Sequence, residues 1–347
     1  MEVSTNDFKI ETEFALDELL THPGPALVEF IKTIQTPLLL LGAGGKMGPT
    51  LAVLARRAAQ QAGHKLEILA ASRFSDGTTR RWLEDHDVRT ISCDLMDGAN
   101  LRQLPDAEYI IYLVGLKFGT TQNPAVTWVI NTLVPANVCR RYPHSKIAAL
   151  SSGSIYPLVP VNRGGANESE PLTPLGEYAN ACVARERIFE YFSDQNQTPI
   201  ALLRLFYAVE LRYGVLVDIA QKVYADEAVD LTMGYLNWIW QGDANDLILR
   251  SLAFVSTPPT PINLTGSKIH SVRELALQFG KLLGKSVRFI GEEAGTALLG
   301  DTTLLRGKLG EPSMPDEEVI RWIAHWIQHQ GRLLGKPTHF EVRDGRY

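Results

Sequence analysis

Cysteine is scarce in this chain, with only Cys93, Cys139 and Cys182 among 347 residues. An odd number without metal-type spacing excludes a disulfide framework and a zinc site, and points to a reducing compartment. No apolar run approaches the ~18 residues that a membrane span needs. The opening Met1-Glu2-Val3-Ser4-Thr5-Asn6-Asp7 lacks the basic-then-apolar order of a secretory signal, so a cytoplasmic, non-membrane protein is expected. A basic cluster is missing too. The formal net charge is −5, the pI is near 5.9, and the cations are dispersed, which removes the electrostatic footprint of a nucleic-acid binder. There is no internal repeat and no low-complexity segment. A small-molecule partner is the expectation that remains.

What is present is an ordinary globular composition, 45% hydrophobic, in a chain long enough for one large or two modest domains. Residues 1–35 read as a helical extension. Ala15–Leu20 and Ala26–Ile31 space their apolar residues for one helix face, with Pro23 and Pro25 between them. No chemistry is assigned to it. From Pro37 onward, short apolar runs alternate with amphipathic stretches: Leu38–Leu41, Leu66–Ala71, Val88–Ser92, Tyr109–Val114, Lys146–Leu150 and Ile200–Leu205 read as buried strands. That alternation predicts an α/β protein, with a Rossmann-type doubly wound parallel sheet over residues 36–207. A smaller C-terminal α/β substrate lobe follows over 208–347, with a segment near 238–253 returning to the first domain. In that lobe Ser271-Val272-Arg273-Glu274 is a capping box opening a helix, and Glu317–His329 reads as another.

The first strand runs into Gly42-Ala43-Gly44-Gly45-Lys46-Met47-Gly48 and then a helix, with Gly63 as its stop. Glycine is needed where the turn takes positive φ, where backbone must approach a pyrophosphate, and where the helix packs on its strand. The helix N-terminus supplies N–H donors. Strand, loop and helix in this order predict a dinucleotide site built from Gly42, Gly44, Gly45, Lys46, Met47 and Gly48. The second strand ends at Ser72-Arg73, where an NAD site usually carries a carboxylate for the ribose 2′-hydroxyl. None is present. Arg73, with Lys46, is suited instead to a 2′-phosphate, which favours NADP over NAD. Asp94, with Leu95 beside it, is placed either to accept from an adenine amino group or to cap the next turn. Val114 at the end of the fourth strand completes the expected cofactor wall.

These residues resemble the extended short-chain dehydrogenase/reductase superfamily, in its NAD-dependent epimerase/dehydratase branch, over roughly 37–330. The marks are the glycine loop, Asp94-Leu95, Gly115-Leu116-Lys117, Asn131–Val138, Ser151-Ser152-Gly153-Ser154-Ile155-Tyr156 and Tyr178 on the following helix. The resemblance implies that Tyr178 takes the proton of a substrate hydroxyl while a hydride moves to the nicotinamide. Ser152 would orient the same oxygen, with Ser154 as a second contact. It further implies substrate contacts from Arg204 and Tyr207, with Arg212 and Tyr213 following. Tyr235–Trp240 is open between a stacking wall and core. A homodimer through the helices that flank the sheet is also within the family pattern.

One departure stands out. The family places lysine four residues after the tyrosine, where it holds the nicotinamide ribose and lowers the tyrosine pKa; here that position is Cys182. An unassisted tyrosine is ionised only to about one part in a thousand at pH 7, so another charge must compensate. Lys117 is the best placed by resemblance, and Arg185, about two turns beyond Tyr178, reads as too far. Cys182 itself reads as a buried small residue, Glu186 as half of a structural ion pair, and His325 and His329 as surface residues. The expectation is an NAD(P)-dependent epimerase, dehydratase or oxidoreductase acting on a sugar or sugar nucleotide. Two alternatives stay open: a dinucleotide-binding regulatory or scaffold protein that has lost its chemistry, and a simple ketone or alcohol reductase.

Overall fold

The computed structural model describes residues 9–75, 77–117 and 122–345; the first eight residues of the predicted prefix lie outside that range. Four consecutive leucines form β1 (Leu38–Leu41), buried on both faces, as only the centre of a parallel sheet allows. It is flanked by β2 (Ile68–Ser72) and β4 (Tyr109–Tyr112). Beyond these lie β3 (Arg89–Ser92) and β5 (Lys146–Ser152). The sheet has seven parallel strands, the Ile200–Leu205 strand following β5 and the Thr260–Leu264 strand forming the edge. The strand order reverses between β1 and β4, and ligands bind such sheets at that switch point, outside the carboxyl ends of the strands.

The edge strand Thr260–Leu264 was not legible in the sequence, because Thr260-Pro261-Ile262-Asn263-Leu264 carries a proline and a buried amide. Proline is tolerated at an edge, where its missing N–H breaks no ladder. Asn263 is fully buried; its amide donates to the Ala166 and Asp301 carbonyls at 2.8 and 2.9 Å, and its backbone N–H donates to the Glu168 carboxylate at 2.8 Å. The sheet domain therefore extends past residue 207. The Gln241–Arg250 helix also packs on it, while Trp238–Trp240 pairs with Tyr207–Val209 outside the main sheet.

The prefix folds as α1 (Glu13–Leu20) and α2 (Pro25–Ile31), capped at Thr12 and opened by Pro25 respectively. Both pack on α3 (Gly48–Gln61), the helix that follows the glycine loop, and on the Gln241–Arg250 helix. Leu16 and Leu20 join the core of the C-terminal lobe, while Leu27, Ile31 and Ile34 join the core beneath the sheet. The lobe's helix Val272–Leu283 starts at the expected capping serine, Ser271, and Asp316–Gln328 forms close to the expected bounds. No helix among the described residues is long and apolar enough to cross a membrane. Because Leu16 is completely buried, Leu16→Ala is expected to destabilise the whole fold by about 2–5 kcal/mol, read as a lower urea midpoint of the single main transition. A prefix that is merely appended would leave that midpoint unchanged.

Candidate active site

The glycine loop is a turn that side chains would close. Gly42 adopts φ +85°, and a Cβ there would lie 2.8 Å from Val114 Cγ2. A Cβ on Gly44 would meet Ser72 Oγ at 2.7 Å, and one on Gly48 would meet the Ala43 backbone at 2.5 Å. The loop is thus pressed against the ends of β2 and β4, and α3 has no side-chain cap on its first N–H groups. Uncapped donors at the start of a long helix beside a side-chain-free loop fit a pyrophosphate. Ser72, Arg73 and Val114 lie around this loop, Arg73 exposed, Ser72 and Val114 half-buried, while Met47 and Leu95 are buried. Asp94 accepts a hydrogen bond from the Met96 N–H at 3.0 Å, so it caps its own turn.

Lys46 departs from the expectation that it would join Arg73 on one phosphate. Its ammonium donates to the Ala208 carbonyl at 3.3 Å and lies 3.7 Å from the centre of the Tyr213 ring. Cation–π attraction and the nearby carboxylates of Glu210 and Asp218 hold it toward the second lobe. Protein crowds the ammonium and lowers its pKa, although solvent still reaches the side chain along the loop and tempers that effect. Arg73 alone is left to favour a 2′-phosphate.

Tyr178 sits on the Gly176–Asn196 helix, packed against the Pro124–Arg141 helix and against β5. Ser152 ends β5, and its hydroxyl accepts from the Ser154 N–H at 3.2 Å, which fixes the serine rotamer at the mouth of the sheet. The side chains of Tyr178 and Ser152 are hydrogen-bonded to each other, and the Tyr178 hydroxyl is also bonded to Cys182. Tyr178 is nearly buried, and burial pushes its phenol well above the usual range, the Cys182 sulfur adding to the effect and Arg185 opposing it. Lys117 is half-buried and pushed down to about 8 by burial, within electrostatic reach of Cys182 and Asp218.

Arg185 was judged too distant, and the structure corrects this. Side chains on a helix lean toward its N-terminus, so Arg185 folds back one turn and donates to Cys182 Sγ at 3.4 Å. Arg204, expected at the substrate, is instead buried behind the site. It donates to Glu186 at 3.1 and 2.8 Å, to the Tyr156 hydroxyl at 2.6 Å and to the Glu168 carbonyl at 3.1 Å. Ser151 donates to the same Glu186 carboxylate at 2.5 Å. A guanidinium in this position is already saturated by the fold. Trp238 and Trp240 are buried in the lobe's core and do not form a stacking wall. Tyr207 is half-buried on the strand that pairs with Trp238–Trp240. Tyr213 lies over Lys46, and Arg212 is bound by Glu13, Asp17 and Glu210 at 3.1, 3.1 and 3.2 Å. Sequence reading missed that cluster because two of its three carboxylates, Glu13 and Asp17, come from the prefix. A separate cavity of about 450 Å³ opens between Asp218, Tyr224, Gln330 and Glu341 in the C-terminal lobe; it shares only Asp218 with the surroundings of Lys46 and has neither the glycine loop nor Tyr178 in its wall.

A seven-stranded parallel sheet with a glycine loop at its switch point defines a Rossmann-type α/β protein. The sequence model described as "NAD dependent epimerase/dehydratase family" matches residues 38–211, and the chain belongs to that family. A search of curated proteins finds no match. Among solved structures it is similar to UDP-glucose 4-epimerase from Thermotoga maritima, at 16% identity over 85% of this chain and 99% of that one, with a TM-score of 0.67. It is also similar to UDP-glucuronic acid 4-epimerase from Bacillus cereus, solved in complex with NAD (16%, 84% and 96%, TM-score 0.69). A third is the dTDP-glucose 4,6-dehydratase of Streptomyces venezuelae (16%, 84% and 97%, TM-score 0.70).

Removing one partner of a buried pair leaves an uncompensated charge. Glu186→Ala is expected to cost about 3–5 kcal/mol in urea unfolding, whereas Glu29→Ala, whose side chain is 76% exposed in its pair with Lys32, should shift stability by less than about 0.5 kcal/mol. Equal small effects would mean that the Arg204 network is solvated.

Proposed function

We propose that the chain is a nicotinamide-dinucleotide-dependent enzyme that oxidises and reduces a carbinol carbon of a sugar or sugar-nucleotide substrate. The observation that carries this reading is the hydrogen-bonded pair of Tyr178 and Ser152 at the carboxyl edge of the sheet, on the side where the glycine loop opens. Gly42, Gly44, Gly45, Met47 and Gly48 present the loop backbone to the pyrophosphate, with Ser72 and Arg73 at the adenosine ribose, Asp94 and Leu95 at the adenine, and Val114 and Lys117 toward the nicotinamide half. A bound nicotinamide would supply a reversible hydride acceptor for the carbinol carbon. Tyr178 takes the hydroxyl proton, Ser152 holds the same oxygen, and Ser154 orients Ser152 through its N–H. The keto compound is then either reduced again on its other face or released. Sugar-nucleotide epimerases and a dehydratase among the structural neighbours support a sugar-like substrate.

Mass spectrometry of small molecules released on denaturing freshly purified protein reads cofactor and trapped substrate together. Retained dinucleotide is the expected result, and a protein that neither releases nor binds any dinucleotide would remove the reading. With Lys46 turned away and Arg73 beside the end of β2, Arg73→Ala is expected to weaken NADP binding by about tenfold or more, the effect of losing a charge-assisted contact, and to leave NAD binding unchanged. No effect on either would place Arg73 in solvent, and equal weakening of both would place its contact on a part the two cofactors share. Tyr178→Phe should lower turnover of a confirmed substrate by about 10²–10⁴-fold.

A second reading has its own observation. Cys182 in the lysine's position, with burial raising the Tyr178 phenol, suits a protein that binds dinucleotide without turning over. Activity gained in Cys182→Lys and absent from the wild type would establish it.

A further inference from the structure

Arg185 is a buried cation with no counter-ion in contact among the described residues. It is only 4% exposed, and its Nη1 donates to the Val114 carbonyl at 3.0 Å and to Asn131 Oδ1 at 3.1 Å. Nη2 donates to the Cys182 sulfur at 3.4 Å, while Nε has no hydrogen-bond partner among the described residues. The adjacent carboxylate, Glu186, is engaged by Arg204 on the other side of the helix. Burying a guanidinium against a carbonyl, an amide and a thiol is costly. A tether between the helix and β4 needs hydrogen bonds and no charge, so a neutral amide at this position would hold the same carbonyl at less expense.

The charge has a destination. The sulfur that Arg185 contacts is also hydrogen-bonded to the Tyr178 hydroxyl, and that hydroxyl to Ser152, which makes a continuous path Arg185–Cys182–Tyr178–Ser152. We propose that Arg185, packed against the Cys182 sulfur that the Tyr178 hydroxyl also touches, supplies the positive charge that lets Tyr178 release and retake its proton, in the role that lysine at position 182 would fill. Arg185 is a positioning residue here: it stabilises the phenolate, which accepts the substrate hydroxyl's proton and so becomes the phenol again. Cys182 lies between them and keeps its proton; its sulfur itself pushes the phenol up, so the guanidinium charge works against that push as well as against burial. Lysine there would bring a second cation against the guanidinium, so cysteine at 182 and arginine at 185 form one solution to the same electrostatic need. Consistently, the Arg185 charge opposes the rise that burial imposes on both Tyr178 and Cys182. The other titratable groups facing this path are Tyr112 on β4, Cys139 on the Pro124–Arg141 helix, Lys117 and Glu186.

This inference rests on Tyr178 being the acid–base group, but its test needs no substrate. Tyrosine labelled at Cζ with ¹³C reports phenol ionisation by NMR, and Tyr178→Phe assigns the resonance. With NAD bound, Tyr178 is expected to ionise at least about one pH unit lower in the wild type than in Arg185→Gln, with Arg185→Lys between them. Cys182→Ala should not raise it, because the sulfur itself pushes the phenol up and the guanidinium stays in place. Thermal unfolding and dinucleotide titration of each variant certify the fold. A folded Arg185→Gln whose Tyr178 titrates where the wild type does would overturn the proposal and leave Arg185 a tether. The shift without turnover of any substrate would retain the relay and count against the enzymatic reading alone.

Discussion

Two neighbouring residues, Arg185 and Glu186, fix the tyrosine-bearing helix against the sheet from opposite directions. Arg185 reaches the end of β4 and the Pro124–Arg141 helix, while Glu186 binds Arg204 on the next strand and Ser151 on β5. Consecutive helix positions diverge by roughly 100°, so the two contacts resist rotation of the helix as well as translation. Tyr178, two turns back, is thereby held over Ser152. Buried ion pairs are weak sources of net stability but penalise misregistered alternatives strongly, and here the penalty falls on the one helix whose placement decides the chemistry.

The second consequence concerns what surrounds the site. Arg204 and Glu186 satisfy each other behind the site, and Lys46 lies against the Tyr213 ring. Lys46 is turned toward the second lobe, so the charge of the loop that faces a cofactor comes chiefly from backbone N–H groups. Neutral donors of this kind bind a pyrophosphate through geometry and the helix dipole, leaving the cationic side chains for whatever lies beyond it.

How much of this was legible in the sequence depended on range. Six of the seven main-sheet strands and the glycine loop are encoded in local patterns, apolar runs and fixed spacings that survive without knowledge of the fold, whereas Tyr178 and Ser152 stood out through the family resemblance. The seventh strand escaped because its stability comes from Asn263 and Glu168, contacts between distant segments that override the poor strand character of Pro261 and Asn263. Arg204 was misplaced for a similar reason: the sequence locates it at the end of a strand but does not show that Glu186 waits behind it. Arg185 was misjudged by counting turns without allowing for the backward lean of helical side chains. The helical character of the prefix is legible in its apolar spacing, but its ion pairs are not, since the partners of Glu13 and Asp17 lie some two hundred residues away at Arg212, and those of Glu13 also at Arg332.

That prefix behaves as a clasp. Leu16 and Leu20 are buried in one core and Leu27, Ile31 and Ile34 in the other, and α1 carboxylates grip Arg212 of the second lobe while α1 itself rests on α3 of the first. A hinge that parted the lobes would have to strip this helix from one core or the other and expose its leucines. The cleft must therefore exchange its ligands through shifts of side chains and short loops around a rigid frame, and a tightly held cofactor would leave on a timescale set by those local openings instead of by domain breathing.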